Sequence, residues 1–250
     1  MWDYILLGFL QGIFEWIPVS SEGIVALASN YLIKDFNSVD LALFLHLGTV
    51  LAVLVYFWKD WINLAMFKDK EFLRFFIIVT FISGTLGFFV YKGARDVAMG
   101  SGLLVLMGLG LLLTSWFQKN NIKLKINKDL SSIIVGLLQA ISAIPGVSRS
   151  GSTVFGLSLT ESDPAEILKK SYIISVPVVI GSSLYLYIKD PTIALSSWPA
   201  IVFSFIFGLL SLKLLLDFSK KVNFSKFTMF FGILCLLGAL IEFSSKWLIK

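Results

Sequence analysis

One cysteine and one histidine occur among the 250 residues, and only 15% of the chain is charged. A lone cysteine, Cys235, excludes a disulfide framework or a thiolate cluster, and a lone histidine, His46, excludes a multi-histidine metal centre. Soluble domains carry roughly 25% charged residues. The low charge here, together with 57% hydrophobic residues and a mean hydropathy of +0.86, excludes a water-soluble globule. The same apolar content excludes intrinsic disorder. A net charge of +5, from 21 basic and 16 acidic residues, reads as lysine-rich loops at a membrane surface rather than as a nucleic-acid footprint. What remains is an all-α polytopic membrane protein.

A spanning helix needs about 20 mostly apolar residues. Residues 41–58, 75–91, 97–117, 171–188, 199–216 and 227–245 meet or approach that length, with Lys213 and Glu242 near span ends. Two further apolar stretches, 4–33 and 130–160, are broken midway by proline, serine, glycine and charge. Irregular backbone is tolerated at membrane depth only where it is buried in protein or lines a wet cavity. The expectation is therefore six transmembrane helices plus two re-entrant helix hairpins. The first stretch has no basic leader and contains Asp3 and Glu15, so it reads as part of the fold rather than as a signal peptide.

The two broken stretches resemble each other. Gly8, Gln11, Ser20 and Gly23 match Gly136, Gln139, Ser148 and Gly151 at an offset of 128, while Pro18 and Pro145 are offset by 127. A unit of one hairpin and three spans crosses the membrane an odd number of times, so its copy lies upside down. This gives one membrane domain, 1–250, with inverted halves of approximately 1–117 and 130–250. Inverted repeats with broken helices place binding sites at the breaks. The loops on one side (59–74, 118–129, 161–170, 218–226) hold thirteen lysines and arginines, against six on the other. The positive-inside rule makes the first side cytoplasmic and turns both termini outward.

An ionisable group at a helix centre costs about 2.5–3.5 kcal/mol on insertion scales, so each is a functional candidate. Arg149 lies in Pro145-Gly146-Val147-Ser148-Arg149-Ser150-Gly151-Ser152-Thr153. That run offers a permanent cation, hydroxyls from Ser148, Ser150 and Thr153, and glycines such as Gly146 that let backbone N–H groups turn to an anion. Backbone nests and arginine forks both suit phosphate. Glu15 follows Gln11 by four residues on one helix face. It reads equally as a base for a nucleophile, as a ligand for a hard cation, or as the ion-pair partner of Arg149. Ser20 and Ser21 follow the break; one reads as a helix cap, the other as a phosphate contact or nucleophile. Glu22 reads as an acid at a helix start. His46, within an apolar span, reads as a packing residue in preference to a base.

Gln11-x-x-x-Glu15-Trp16-Ile17-Pro18-Val19-Ser20-Ser21-x-Gly23, the 145–153 run and His46-Leu47-Gly48-Thr49 together resemble the undecaprenyl-diphosphate phosphatases of the bacitracin-resistance type. The resemblance implies hydrolysis of a polyprenyl diphosphate to the monophosphate on the outer side of the cell membrane. This would recycle the lipid carrier for cell-envelope polysaccharide such as peptidoglycan. It implies Mg2+ or Ca2+ as cofactor, with Glu15 as acid–base or metal-linked carboxylate. It further implies Ser21 as nucleophile or substrate contact and Arg149 as the group that neutralises the diphosphate. Gln11, Ser20, Gly146, Ser148, Ser150 and Thr153 would bind substrate. The partners implied are the lipid and the bilayer, without nucleic acid, and a homo-oligomer is left open.

The chain departs from that family at one place. Where the family has Ser-Ser-Ser/Thr-Gly-His, this sequence reads Ser20-Ser21-Glu22-Gly23-Ile24. Isoleucine neither attacks nor carries a proton, so Glu22 is the substitute acid to examine. Two other functions stay open on sequence alone: a polyprenyl-phosphate flippase, and a catalytically weakened binder of lipid diphosphate.

Overall fold

The computed structural model describes residues 1–17, 20–33, 35–94, 101–120, 126–144, 147–161, 163–219 and 224–248. Gly146, Pro18 and Pro145 therefore lie outside the described residues, as do the side chains of Glu242 and Trp247. Among the described residues the chain forms eleven helices and no strand. They are α1 (Trp2–Phe14), α2 (Ser21–Leu32), α3 (Ser38–Tyr56), α4 (Trp58–Ala65), α5 (Lys70–Ala94), α6 (Ser101–Lys119), α7 (Lys128–Ile141), α8 (Arg149–Ser158), α9 (Pro164–Lys189), α10 (Thr192–Ser219) and α11 (Phe224–Leu248). Among the described residues, four helical stretches are long and apolar enough to cross a membrane: Ser38–Tyr56, Lys70–Gly93, Pro164–Lys189 and Thr192–Asp217. The protein is a multi-pass helical membrane protein.

Local chemistry sets where the helices start. Asn37 and Asn127 accept from first-turn amides of α3 and α7. Asp163 caps α9, which has Pro164 at its first position, where the missing N–H is harmless. That cap starts α9 seven residues before the expected 171, on a polar turn holding Glu166, Lys169 and Lys170. The expected loop 59–74 also differs, because it contains α4. This helix is too short and polar to register as a span, but it packs Leu64 and Trp61 against the core.

Ser20 and Ser148, matched in sequence, do the same work at the starts of α2 and α8. Ser20 accepts from Gly23 N at 3.2 Å to cap α2, and Ser148 accepts from Gly151 N at 3.1 Å to cap α8. The helix pairings are reciprocal as well. α1 packs on α10 and α7 on α5, α2 packs on α3 and α8 on α9, and α3 meets α9 as α6 meets α11.

Close approach at α10 depends on small residues. A Cβ on Gly8 would run into Ala200 O, and one on Gly48 into Ile201 O. At the other end of α3, Asp40 accepts from Tyr91 OH at 2.5 Å and faces Lys189 Nζ at 3.5 Å, tying α3, α5 and α9 together.

Candidate active site

The break after α1 is fastened from two sides. Trp16, fully enclosed, donates its indole N–H toward Gly208 O at 2.9 Å and Ser211 Oγ at 3.0 Å, both on α10. Tyr172 on α9 packs edge-on against the Trp16 ring, centroids 4.9 Å apart, and donates to Trp16 O at 3.1 Å. A carbonyl left over at a helix end thus gains a donor, and the residue before it, Glu15, is held at a fixed place.

Glu15 is 3% exposed and collects donors from four helices. Its Oε2 accepts from Gln11 Nε2 at 2.7 Å and Ser21 Oγ at 2.7 Å and lies 3.0 Å from His46 Nε2. Its Oε1 accepts from Arg149 Nη2. His46 Nδ1 lies 2.8 Å from Ala42 O, and since a carbonyl only accepts, that nitrogen carries a hydrogen. The Nε2–Oε2 contact is attractive only with a second hydrogen between them, so the pair holds one proton. His46 is thus part of the site and not merely a packing residue. The loneliness of an ionisable group in an apolar span was the signal for it; its distance in sequence from Glu15 hid the contact.

Arg149 opens α8, with its side chain only 14% exposed. Nη2 serves Glu15, whereas Nε and Nη1 are buried without a hydrogen-bond partner among the described residues. Unpaired buried donors are rare in folded proteins, and each calls for an explanation. Glu22, 7% exposed, likewise has an unpartnered Oε1.

These groups stand between two spaces. A chamber of about 20 Å³ is lined by Glu15, Ser20, Ser21, Ser148 and Ser150, at the N-termini of α2 and α8. A second cavity of about 360 Å³, largely apolar, lies among α3, α5, α7 and α9. Glu22, His46 and Arg149 line both. Helix N-termini present free N–H groups and the positive end of the helix dipole, which suits an anion.

Some of the residues expected to bind substrate do not face the chamber. Gln11 is fully buried behind Glu15. Thr153 is also fully buried, its hydroxyl engaged by Arg149 O at 2.9 Å and Ser171 Oγ at 2.5 Å in the α8–α9 contact. Ser150 lines the chamber and donates to Ile17 O at 3.3 Å, linking the start of α8 to the end of α1. Ser20 caps, and Ser21 is the serine aimed at the acid.

The donor set does not fit a divalent cation held by the protein. Among the described residues, no three His, Cys, Asp or Glu side chains group to bind an ion. Both oxygens of Glu15 already accept from neighbours, so a cation on Glu15 would compete with Arg149 for Oε1 and crowd the three donors on Oε2.

Fold and site together define a multi-pass helical membrane protein with a charged cluster buried among its helices, next to an apolar cavity. The sequence profile described as Bacitracin resistance protein BacA matches residues 4–240, and the chain belongs to that family. Relatives of nearly equal length agree. An undecaprenyl-diphosphatase of Methanothrix thermoacetophila is 35% identical over 252 residues, covering 95% of this chain and 97% of the relative. Those of Haloarcula marismortui and Methanococcoides burtonii are 32% and 30% identical, covering 95% and 94% of this chain and 96% and 97% of the relatives.

Proposed function

We propose that this chain is an integral-membrane phosphatase that hydrolyses a polyprenyl diphosphate to the monophosphate and inorganic phosphate. The observation that carries the reading is Arg149. It is a buried guanidinium with two nitrogens unspent, set between a polar chamber and an apolar cavity. A lipid with an anionic head against the spare guanidinium nitrogens and a tail in the apolar cavity fits this arrangement, and the relatives' names give the same substrate class.

In this reading Arg149 and the amides at the starts of α2 and α8 take the phosphoryl oxygens and neutralise developing charge, the main source of acceleration in phosphoryl transfer. Ser21 Oγ attacks the terminal phosphorus as its proton passes to Glu15 Oε2. The bond from that phosphorus to the bridging oxygen breaks, and the polyprenyl monophosphate leaves. Water then cleaves the seryl phosphate and releases phosphate. Gln11 and His46 hold the carboxylate in line for Ser21.

The site belongs to a topology of six spans and two re-entrant hairpins in an inverted repeat. The reciprocal helix pairings and the matched caps Ser20 and Ser148 support it. In this reading both termini lie outside and the site opens to the outer side of the cell membrane, and the excess of basic residues in the four loops supports that orientation.

The test is phosphate release from a long-chain polyprenyl diphosphate by the purified protein, compared with Arg149→Ala and Glu15→Ala. Release by the parent chain and loss in both variants is expected. Equal release by all three would sink the reading.

A further inference from the structure

The α3–α10 contact has no equally close counterpart in the other half of the repeat. α3 and α10 pack closely, whereas their counterparts by repeat, α9 and α5, meet less closely and leave the 360 Å³ cavity partly between them. On α3, Gly48 is pressed against α10; on α5 and α9, Gly84 and Gly181 line the cavity, and a Cβ on either would meet no atom within 4 Å. The cavity walls repeat at helical spacing, with Thr80, Gly84, Gly87 and Tyr91 on α5 facing Pro177, Gly181 and Tyr185 on α9. At one end lies Arg149 with its spare donors; Gln139, 3% exposed, leaves Oε1 unpartnered along the same wall. The far end is narrowed by Tyr185 against Phe88 and Tyr91, ring centroids 5.4 and 6.3 Å apart.

We propose that the gap between α5 and α9 is the lateral seat of the substrate's prenyl chain, with Gly84 and Gly181 as its floor. The first isoprene units lie in the cavity and the remainder stays in the bilayer. The inference rests on the function proposed above and adds where the tail goes. The volume is at the lower end of ordinary ligand sites, which run about 300–1,000 Å³, and so holds only the start of a long chain. Gln139 and Thr80, with polar atoms unpartnered at the inner end, make deeper burial of hydrocarbon unfavourable. The chain therefore turns out sideways over the two glycines. An anionic head reaches Arg149 this way without the tail leaving lipid.

The experiment fills the floor. Gly84→Phe and Gly181→Phe should each raise KM for a long-chain polyprenyl diphosphate about tenfold, in line with the discrimination that pocket volume gives. Inhibition by inorganic diphosphate, which has a head and no tail, should not change. Gly110→Phe on α6, where a Cβ also meets open space away from the cavity, should alter neither. Unchanged lipid KM in both cavity variants, or a parallel loss of diphosphate inhibition, overturns the proposal. A non-hydrolysable photoreactive prenyl phosphonate should label α5 or α9, and labelling confined to other helices also overturns it. This second readout is independent of turnover: a parent chain that releases no phosphate defeats the proposed reaction, while the label still decides where the tail lies.

Discussion

Ser21 donates its hydroxyl hydrogen to Glu15 Oε2 at 2.7 Å, across the break that separates α1 from α2. The same oxygen accepts from Gln11, and His46 approaches it from α3. The serine therefore meets a carboxylate that cannot rotate away. Ser21→Ala should lower kcat about 100-fold or more, the scale of a positioned acid–base partner, with the fold intact by circular dichroism. In the parent chain, rapid quenching during turnover of labelled substrate should trap phosphate on Ser21. Full activity in Ser21→Ala would assign the attack to water.

His46 donates to Glu15 without being required to attack anything. His46→Gln can still offer one N–H to Oε2 and should retain most of kcat. His46→Leu leaves the carboxylate short of a donor and should lose at least about tenfold, since a hydrogen bond to a charged group contributes about 1.5–3 kcal/mol. KM for the lipid should move little in either variant, a split that steady-state kinetics reads directly.

Arg149 and Glu15 form a buried pair, and removing one member leaves the other's charge uncompensated. Arg149→Met should cost about 3–5 kcal/mol of stability. The double variant Arg149→Met with Glu15→Gln should recover much of it and stay inactive. Thermal melts in detergent with phosphate-release assays distinguish this from simple loss of fold.

Tyr172 holds the break in place from α9 through its hydroxyl on Trp16 O. Tyr172→Phe keeps the ring contact and loses that bond. It should cost about 1 kcal/mol of stability and lower kcat without changing inhibition by inorganic diphosphate.

Without lipid, the purified protein should bind Mn2+ no more tightly than Glu15→Gln does, because the Glu15 oxygens are already occupied. Electron paramagnetic resonance of the free ion checks this directly. Strong binding by the parent chain, lost in Glu15→Gln, would restore a metal role to Glu15.

Local features were legible from the sequence, and contacts across the chain were not. The breaks before Ser20 and Ser148, a capping serine at the first break and the match that pairs the two stretches follow from residue types at fixed spacing, whereas Ser148, which caps α8, reads in the sequence only as a phosphate contact. The Glu15–Arg149 pairing follows from two charges placed in the breaks of that repeat. The position of His46 does not, because it depends on how α3 leans on α1, a packing result with no local signature. Thr153 misled for the opposite reason: its neighbourhood suggested a phosphate contact, but one helical turn carries it round to Ser171 on α9. α4 was hidden because a short amphipathic helix in a charged segment matches neither the span pattern nor the loop pattern.

Ser20 takes a left-handed backbone, φ 57°, and is one of two non-glycine residues with positive φ among those described. Its side-chain oxygen must nevertheless cap α2. Glycine would relax the backbone and forfeit the cap; alanine would forfeit the cap and keep the strain. Asparagine, which tolerates this conformation and also accepts from backbone amides, satisfies both demands. The junction before α2 thus admits a very short alphabet, and a screen of all twenty residues at position 20 should return serine, asparagine and aspartate ahead of every larger or purely apolar choice.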